Sequence, residues 1–318
     1  MALSRQLVWI TGAQGFIGRH LARWLAARGY TVAGIGHGLW PQSEAAAWGV
    51  QRWLNGDVHS SNLRHMLQDC GSPDCIFHLA GGSSVSAAIA DPHEDFTRTV
   101  TTTAELLDWM RQEASTTRLV AISSAAVYGA GLEGPVREDQ AQVPFSPYGY
   151  HKLMMENLCR CYCVNYSLPV VVVRLFSVYG DWLKKQLLWD ICTKLASGTL
   201  YLELGGTGEE LRDWTEARDV VRALELTMDL TLEAHIMPVM NIGTGRGTSV
   251  REIASEVLEC WPMPIDVRFN GRSRPGDPFS LVADNSLLRT FGFKWSIPVD
   301  KGIRDYVQWF LKYMRSKP

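Results

Sequence analysis

Tyr148 and Lys152 stand four residues apart in Ser146-Pro147-Tyr148-Gly149-Tyr150-His151-Lys152. Ser146 reads as an N-cap and Pro147 as a first-turn residue, so the segment predicts a helix start with Tyr148 and Lys152 on one face. An ammonium beside a phenol favours the phenolate and lowers its pKa from about 10, giving a base usable near neutrality. The same lysine can hydrogen-bond the ribose of a nicotinamide cofactor. On spacing alone the pair reads more readily as a solvated surface contact. Context selects the chemical reading. The apolar run 119–124 ends in Ser123-Ser124, which places the Ser124 hydroxyl at the carboxyl end of a buried strand. There it can hydrogen-bond the substrate oxygen whose proton Tyr148 exchanges.

Hydride chemistry needs a dinucleotide, and the first strand is followed directly by Thr11-Gly12-Ala13-Gln14-Gly15-Phe16-Ile17-Gly18. Glycines at these positions permit a tight turn and let backbone approach a pyrophosphate. A helix starting near Phe16 would offer that anion its unpaired N–H groups and positive dipole end. The second strand ends Ile35-Gly36-His37-Gly38, without the acidic residue that engages the ribose hydroxyls of NAD. That absence removes repulsion toward a 2′-phosphate, which His37 can contact, so the cofactor is expected to be NADP or NAD with a slight lean to NADP. An aspartate introduced at Gly36 is expected to swing preference toward NAD. Asp57, followed by Val58, reads equally as an adenine contact and as the cap of the next helix.

These residues need a scaffold of alternating elements. Segments 6–11, 31–36, 75–80, 119–124 and 169–175 read as buried parallel strands, and 16–28, 62–69, 94–113 and 147–166 as helices. The alternation predicts an α/β fold, a Rossmann-type doubly wound parallel sheet over residues 1–176, with 213–240 returning to it. Residues 177–318, looser in pattern and richer in Gly and Pro loops, are expected to form a smaller substrate-binding lobe. A net charge of −2 gives no electrostatic footprint for nucleic acid, and no apolar run reaches the ~20 residues that span a bilayer. The N-terminus lacks a secretory h-region, and the seven cysteines form no CxxC pair. Cys159 and Cys163 share a helical face that Cys161 leaves, poor geometry for a metal, so no metal is expected and the cysteines read as reduced in a cytoplasmic enzyme.

The ordered set TGAQGFIG (11–18), FHLAG (77–81), SSAAVYG (123–129), YGYHK (148–152), RLFSVYG (174–180), RDW (212–214), NIGTG (241–245) and RPGD (274–277) resembles the extended short-chain dehydrogenase/reductase family. Within it, the similarity is to the NAD-dependent epimerase/dehydratase group that acts on nucleotide sugars. The resemblance implies Tyr148 as acid/base, Lys152 as its activator and ribose anchor, and Ser124 as the partner of the reacting oxygen. It implies cofactor contacts from Gly12, Gln14, Gly15, Phe16, Ile17, Gly18, His37, Asp57, Val58, Leu79, Ala80, Gly81, Tyr148 and Lys152. Substrate contacts are expected from Ser83, Ser84, Ser124, Ser177, Gln186, Arg212 and Arg274. The sequence departs from the family at Thr99 and Ser177, where asparagine is usual, and at the missing acidic tip near His37.

Family dehydratases carry carboxylates directly after the strand-end hydroxyl. Ala125-Ala126 can move no proton, which disfavours dehydration and also weakens a decarboxylase reading. The expected function is an NAD(P)-dependent nucleotide-sugar epimerase acting at C4 of a UDP-, dTDP- or GDP-hexose. An NADPH-dependent 4-ketosugar reductase and a non-catalytic dinucleotide-binding protein are the alternatives. By resemblance the chain is also expected to pair as a homodimer through the helices at 94–113 and 147–166.

Overall fold

The computed structural model describes residues 6–132, 134–272 and 280–316. The chain forms two compact units. The first comprises Met1–Gly129, Ala141–Leu175 and Val221–Met240, and the second Ala130–Gln140, Phe176–Val220 and Asn241–Pro318.

The first unit begins with strand β1 (Leu7–Thr11), helix α1 (Phe16–Ala27), β2 (Thr31–Gly36), α2 (Gln42–Ala47), β3 (Arg52–Asn55), α3 (Ser60–Cys70) and β4 (Cys75–His78). It continues through α4 (Val85–Ala90), α5 (Pro92–Phe96), α6 (Thr102–Glu113), β5 (Arg118–Ser124), α7 (Pro147–Tyr166) and β6 (Val170–Leu175). With a later strand at Val239–Ile242, these form a seven-stranded sheet ordered (Val239–Ile242)-β6-β5-β4-β1-β2-β3. The pairings of β1 through β6 are all parallel. The reversal of strand order beside β1 is the switch point where such sheets open a crevice at their carboxyl ends. Strands such as β6, Val-Val-Val-Val-Arg-Leu, are buried at every position, which explains their unbroken apolar runs. Trp9 of β1 stacks on Trp109 of α6 at 5.6 Å within the core.

Residues 94–113, expected as one helix, are broken. Between α5 and α6 the chain makes one π-helical turn, Thr97–Thr101. The wider turn is an interruption that apolar periodicity does not reveal, and such turns often occur at functional sites. Cys159 and Cys163 are buried while Cys161 is exposed, as the helical spacing requires.

The second unit carries β7 (Ser177–Tyr179), α8 (Gln186–Ala196), β8 (Tyr201–Leu204), β9 (Leu211–Glu216), β11 (Gly247–Ser249), α10 (Val250–Glu259), β12 (Asp266–Phe269), β13 (Ser280–Leu281) and α12 (Val299–Arg315), where β10 is the Val239–Ile242 strand, α9 is Ala217–Leu226 and α11 is Ser286–Thr290. Strand β9 is paired by β7, β11 and β13, and β8 pairs with β12. These strands run two to six residues. That brevity is why the sequence pattern loosens there.

Arg174, wholly buried in β6, fixes helix α7 against the sheet. Its Nε and Nη2 donate to the two carboxylate oxygens of Glu156 on α7 at 3.0 and 2.7 Å, and Nη1 donates to the Tyr128 hydroxyl at 2.8 Å. Ser123 of β5 donates to the same carboxylate at 2.5 Å. A buried ion pair of this kind is stable because every polar partner is satisfied, and removing one member strands a charge. Arg174→Met is therefore expected to cost about 3–5 kcal/mol in urea unfolding, and the double variant Arg174→Met/Glu156→Leu to recover most of it. A single-variant cost under about 1 kcal/mol would show that the pair does not carry the register of α7.

Candidate active site

The turn after β1 closes on itself through the Gly15 N–H donating to the Gly12 carbonyl at 2.9 Å. Gly12 has φ +72°, and a Cβ there would sit 3.0 Å from the Ala80 nitrogen, so only glycine brings the turn this close to the end of β4. Helix α1 begins at Phe16 with Gly15 as a cap lacking any side-chain hydrogen bond. Its first backbone N–H groups, from Phe16, Ile17 and Gly18, thus have no side-chain partner, the feature a pyrophosphate needs. The residues present fit a dinucleotide, with the glycine turn at the phosphates.

At the far end of this cradle, Gln14 donates to the Leu39 carbonyl at 3.1 Å and Gly38 donates to the Asn55 side chain at 3.1 Å. His37 Nε2 lies 2.8 Å from Asp57 Oδ1, with both side chains mostly exposed. Asp57 does not cap the following helix, a role taken by His59, which leaves its carboxylate at the cradle. Val58 is buried beside it. A Cβ on Gly36 would approach Trp53 Cη2 to 3.1 Å and Gly12 Cα to 3.4 Å. An aspartate at Gly36 therefore requires the Trp53 ring to give by a few tenths of an ångström.

A directed chain of hydrogen bonds rigidifies the end of β4. Thr103 donates to the Thr99 carbonyl at 2.6 Å, so it accepts from His78 Nε2 at 3.0 Å. His78 Nδ1 then accepts from the Thr11 hydroxyl at 2.8 Å, and Thr11 in turn accepts from the Ala80 N–H at 3.0 Å. This order demands a neutral imidazole. Burial, followed by the nearby Lys152 charge, pushes the His78 pKa down to about 3. The Leu79-Ala80-Gly81 segment, expected at the cofactor, is thereby tied to the glycine turn. Thr99, on the π turn, accepts from the Gly82 N–H at 2.8 Å.

Ser146 caps α7 by accepting from the Gly149 N–H at 3.2 Å, and Pro147 occupies the first turn. The cap sets Tyr148 and Lys152 facing the end of β5, where the Ser124 hydroxyl is close enough to act on the Tyr148 phenol. Ser124 also accepts from the Ala126 N–H at 3.2 Å. Lys152 is buried, donates to the Ile122 carbonyl at 2.9 Å and lies 5.9 Å from the centre of the Tyr148 ring. The structure thus brings Ser124, Tyr148 and Lys152 together.

Their electrostatics differ from the simple pairing that the spacing implies. Burial pushes Tyr148 up to about 12, the Ser124 hydroxyl acts to lower it, and Asp95 raises it further. Burial likewise pushes Lys152 down to about 8, with Asp95, Glu156 and Cys159 acting in the opposite sense. Desolvation disfavours the charged form of each group, so the buried lysine does not by itself produce a phenolate.

Ser83 is exposed at the head of α4, and the Ser84 hydroxyl caps that helix by accepting from the Ala87 N–H at 3.3 Å. Ser177, Gln186 and Arg212 belong to the second unit. There Ser177 pairs with Trp214, Gln186 starts α8 with φ 65°, and Arg212 Nη1 donates to the Leu211 carbonyl at 2.8 Å. Arg274 lies outside the described residues. Sequence spacing misses Asp95 and His151, a buried pair 2.6 Å apart but 56 positions apart in the chain. The only local signal was a histidine immediately before the lysine.

The sequence matches the model of the NAD dependent epimerase/dehydratase family over residues 8–243, and the chain belongs to that family. A UDP-glucose 4-epimerase from Azospirillum brasilense is 30% identical over 303 residues, covering 89% of this chain and 85% of its own. The crystal structure of UDP-glucuronic acid 4-epimerase from Bacillus cereus, in complex with UDP-glucuronic acid and NAD, superposes with a TM-score of 0.86 at 27% identity, covering 97% of this chain and all of that one. UDP-glucose 4-epimerase from Brucella ovis in complex with NAD superposes with a TM-score of 0.85 at 30% identity, covering 96% and 98%.

Tyr148→Phe removes only the exchangeable proton. It is expected to lower turnover by about 10²–10⁴-fold while leaving dinucleotide affinity in place, whereas Lys152→Met should impair both. Steady-state rates and dinucleotide titration check this. A Tyr148→Phe protein keeping more than about a tenth of its activity would displace Tyr148 from the role of base.

Proposed function

We propose that the protein is a nucleotide-sugar 4-epimerase working on a UDP-hexose or UDP-hexuronic acid. The observation that carries this is the convergence of Ser124, Tyr148 and Lys152 at the end of β5, with only Ala125 and Ala126 following. The relatives described above, 4-epimerases of UDP-glucose and UDP-glucuronic acid, support the substrate class.

A nicotinamide dinucleotide held by the Gly12–Gly18 turn would supply reversible hydride acceptance. The chain's own residues handle the proton and the oxygen. Tyr148 takes the proton of the C4 hydroxyl as that carbon becomes a carbonyl, and Ser124 holds the oxygen throughout. Lys152 fixes the phenol's surroundings and meets the ribose. After the 4-keto sugar presents its other face, Tyr148 returns the proton. The missing carboxylates leave no group to expel water from the neighbouring carbons, so the sugar keeps all its oxygens.

The dinucleotide carried by the relatives is NAD. We take it as the cofactor here, with weak discrimination against NADP because no acidic side chain stands at Gly36. A homodimer through α6 and α7 fits the exposed Tyr150, Met154, Val164 and Tyr166 on α7. A reducing, cytoplasmic setting fits seven free cysteines. Among the described residues, no helix is long and apolar enough to cross a membrane.

The test is to incubate the protein as purified with UDP-, dTDP- and GDP-hexoses and UDP-glucuronic acid, without added cofactor, and to read the sugars by NMR. C4 inversion of a UDP-sugar without net consumption of reductant is expected. Inert UDP-sugars, with NADPH consumed on 4-ketosugars instead, would overturn the proposal in favour of a reductase.

A further inference from the structure

Helix α5 places the Asp95 carboxylate, 5% exposed, against the Gly81-Gly82 turn and against His151 on α7. His151 Nδ1 donates to Asp95 Oδ2 at 2.6 Å, and its ring meets Phe96 edge-on at 5.5 Å. A Cβ on Gly82 would collide with Asp95 Oδ1, while one on the neighbouring Gly81 would stand 3.4 Å from Lys152 Nζ. The acid and the ammonium thus flank consecutive glycines at the end of β4.

The other titratable groups facing Lys152 are His78 from β4 and Tyr148, Glu156 and Cys159 from α7 itself. Strand β5 contributes only the Ile122 carbonyl to the ammonium. His78 is neutral, burial raises the Cys159 thiol beyond its usual range, and Tyr148 is raised as well. Glu156, held bidentately by Arg174, also raises Lys152, second to Asp95. Asp95, across the Gly81-Gly82 turn from the ammonium, is the acid that acts on it most strongly and that no guanidinium holds.

We propose that Asp95 is the counter-ion of Lys152, held in place by His151 and by the bare Gly82, and that it acts as a positioning residue for the site. The inference rests on the Tyr148-Lys152 site proposed above. Without a nearby anion a buried lysine tends to lose its proton. Asp95 keeps the ammonium charged through neutrality, and the same negative charge keeps the Tyr148 proton in place until substrate and cofactor are bound. Both effects have one sign. Removing the anion lowers the proton affinity of Lys152 and of Tyr148 together.

The experiment reads Lys152 directly, so its outcome does not depend on the reaction. Protein labelled with ¹³C at lysine Cε is titrated from about pH 6 to 10 by NMR, with the Lys152 signal assigned through Lys152→Met. The parent protein should titrate at about 8. Asp95→Asn should move that midpoint about one pH unit to the acid side, and both limbs of the turnover pH profile should move the same way. If Asp95→Asn does not fold, Asp95→Ser keeps a small polar group between His151 and Gly82 and carries the same test. His151→Gln, which retains an N–H donor for the carboxylate, should leave the Lys152 midpoint within about 0.3 unit of the parent. An unmoved midpoint in the Asp95 variants would overturn the proposal. A shift in His151→Gln as large as in Asp95→Asn would overturn it too, by tracing the effect to the imidazole.

Discussion

The buried contact between Arg174 and Glu156 is the constraint on which the rest of the site depends. It joins β6 to α7 at two points, and Ser123 and Tyr128 bring β5 and the turn after it into the same network. Glu156 lies one helical turn beyond Lys152, and Ser123 is the neighbour of Ser124. The network therefore fixes the helix that carries Tyr148 and Lys152, the proposed acid/base pair, relative to the strand that carries Ser124. Electrostatic preorganisation requires donors and acceptors already in place when charge develops. A fully satisfied buried pair achieves that where a surface pair would not.

Burial then sets the chemistry. Tyr148 and Lys152 are each moved toward their neutral forms, and His78 is held neutral between the hydroxyls of Thr11 and Thr103. A site poised this way holds its phenol protonated by burial.

Much of this was legible in the residues because it depends on short spacing. The glycine turn, the Tyr148-x-x-x-Lys152 register, the Ser146 cap and the strand-end Ser124 are local patterns with local causes, and the near-continuous apolar strands announce a parallel sheet. What was not legible depends on long-range packing. The π turn at Thr97–Thr101 interrupts a helix without a change in apolar period. Trp53 lies against Gly36 from a neighbouring strand, which makes the missing acidic tip a packing matter as well as a binding one. Asp95 and His151, Arg174 and Glu156, and the short strands around β9 meet only after the chain has folded. Ser84, expected at the sugar, also has a local role as the cap of α4.

The central claim is that Tyr148 and Ser124 manage a transient oxidation at C4 whose hydride returns to the same sugar. Its most direct test uses a UDP-hexose carrying deuterium at C4, incubated with the protein in ordinary water and followed until the two epimers equilibrate. Deuterium is expected to remain at C4 in both epimers, with no label lost to solvent and no solvent hydrogen gained at C3 or C5. Protium at C4 of the product, or solvent exchange at a neighbouring carbon, would contradict it.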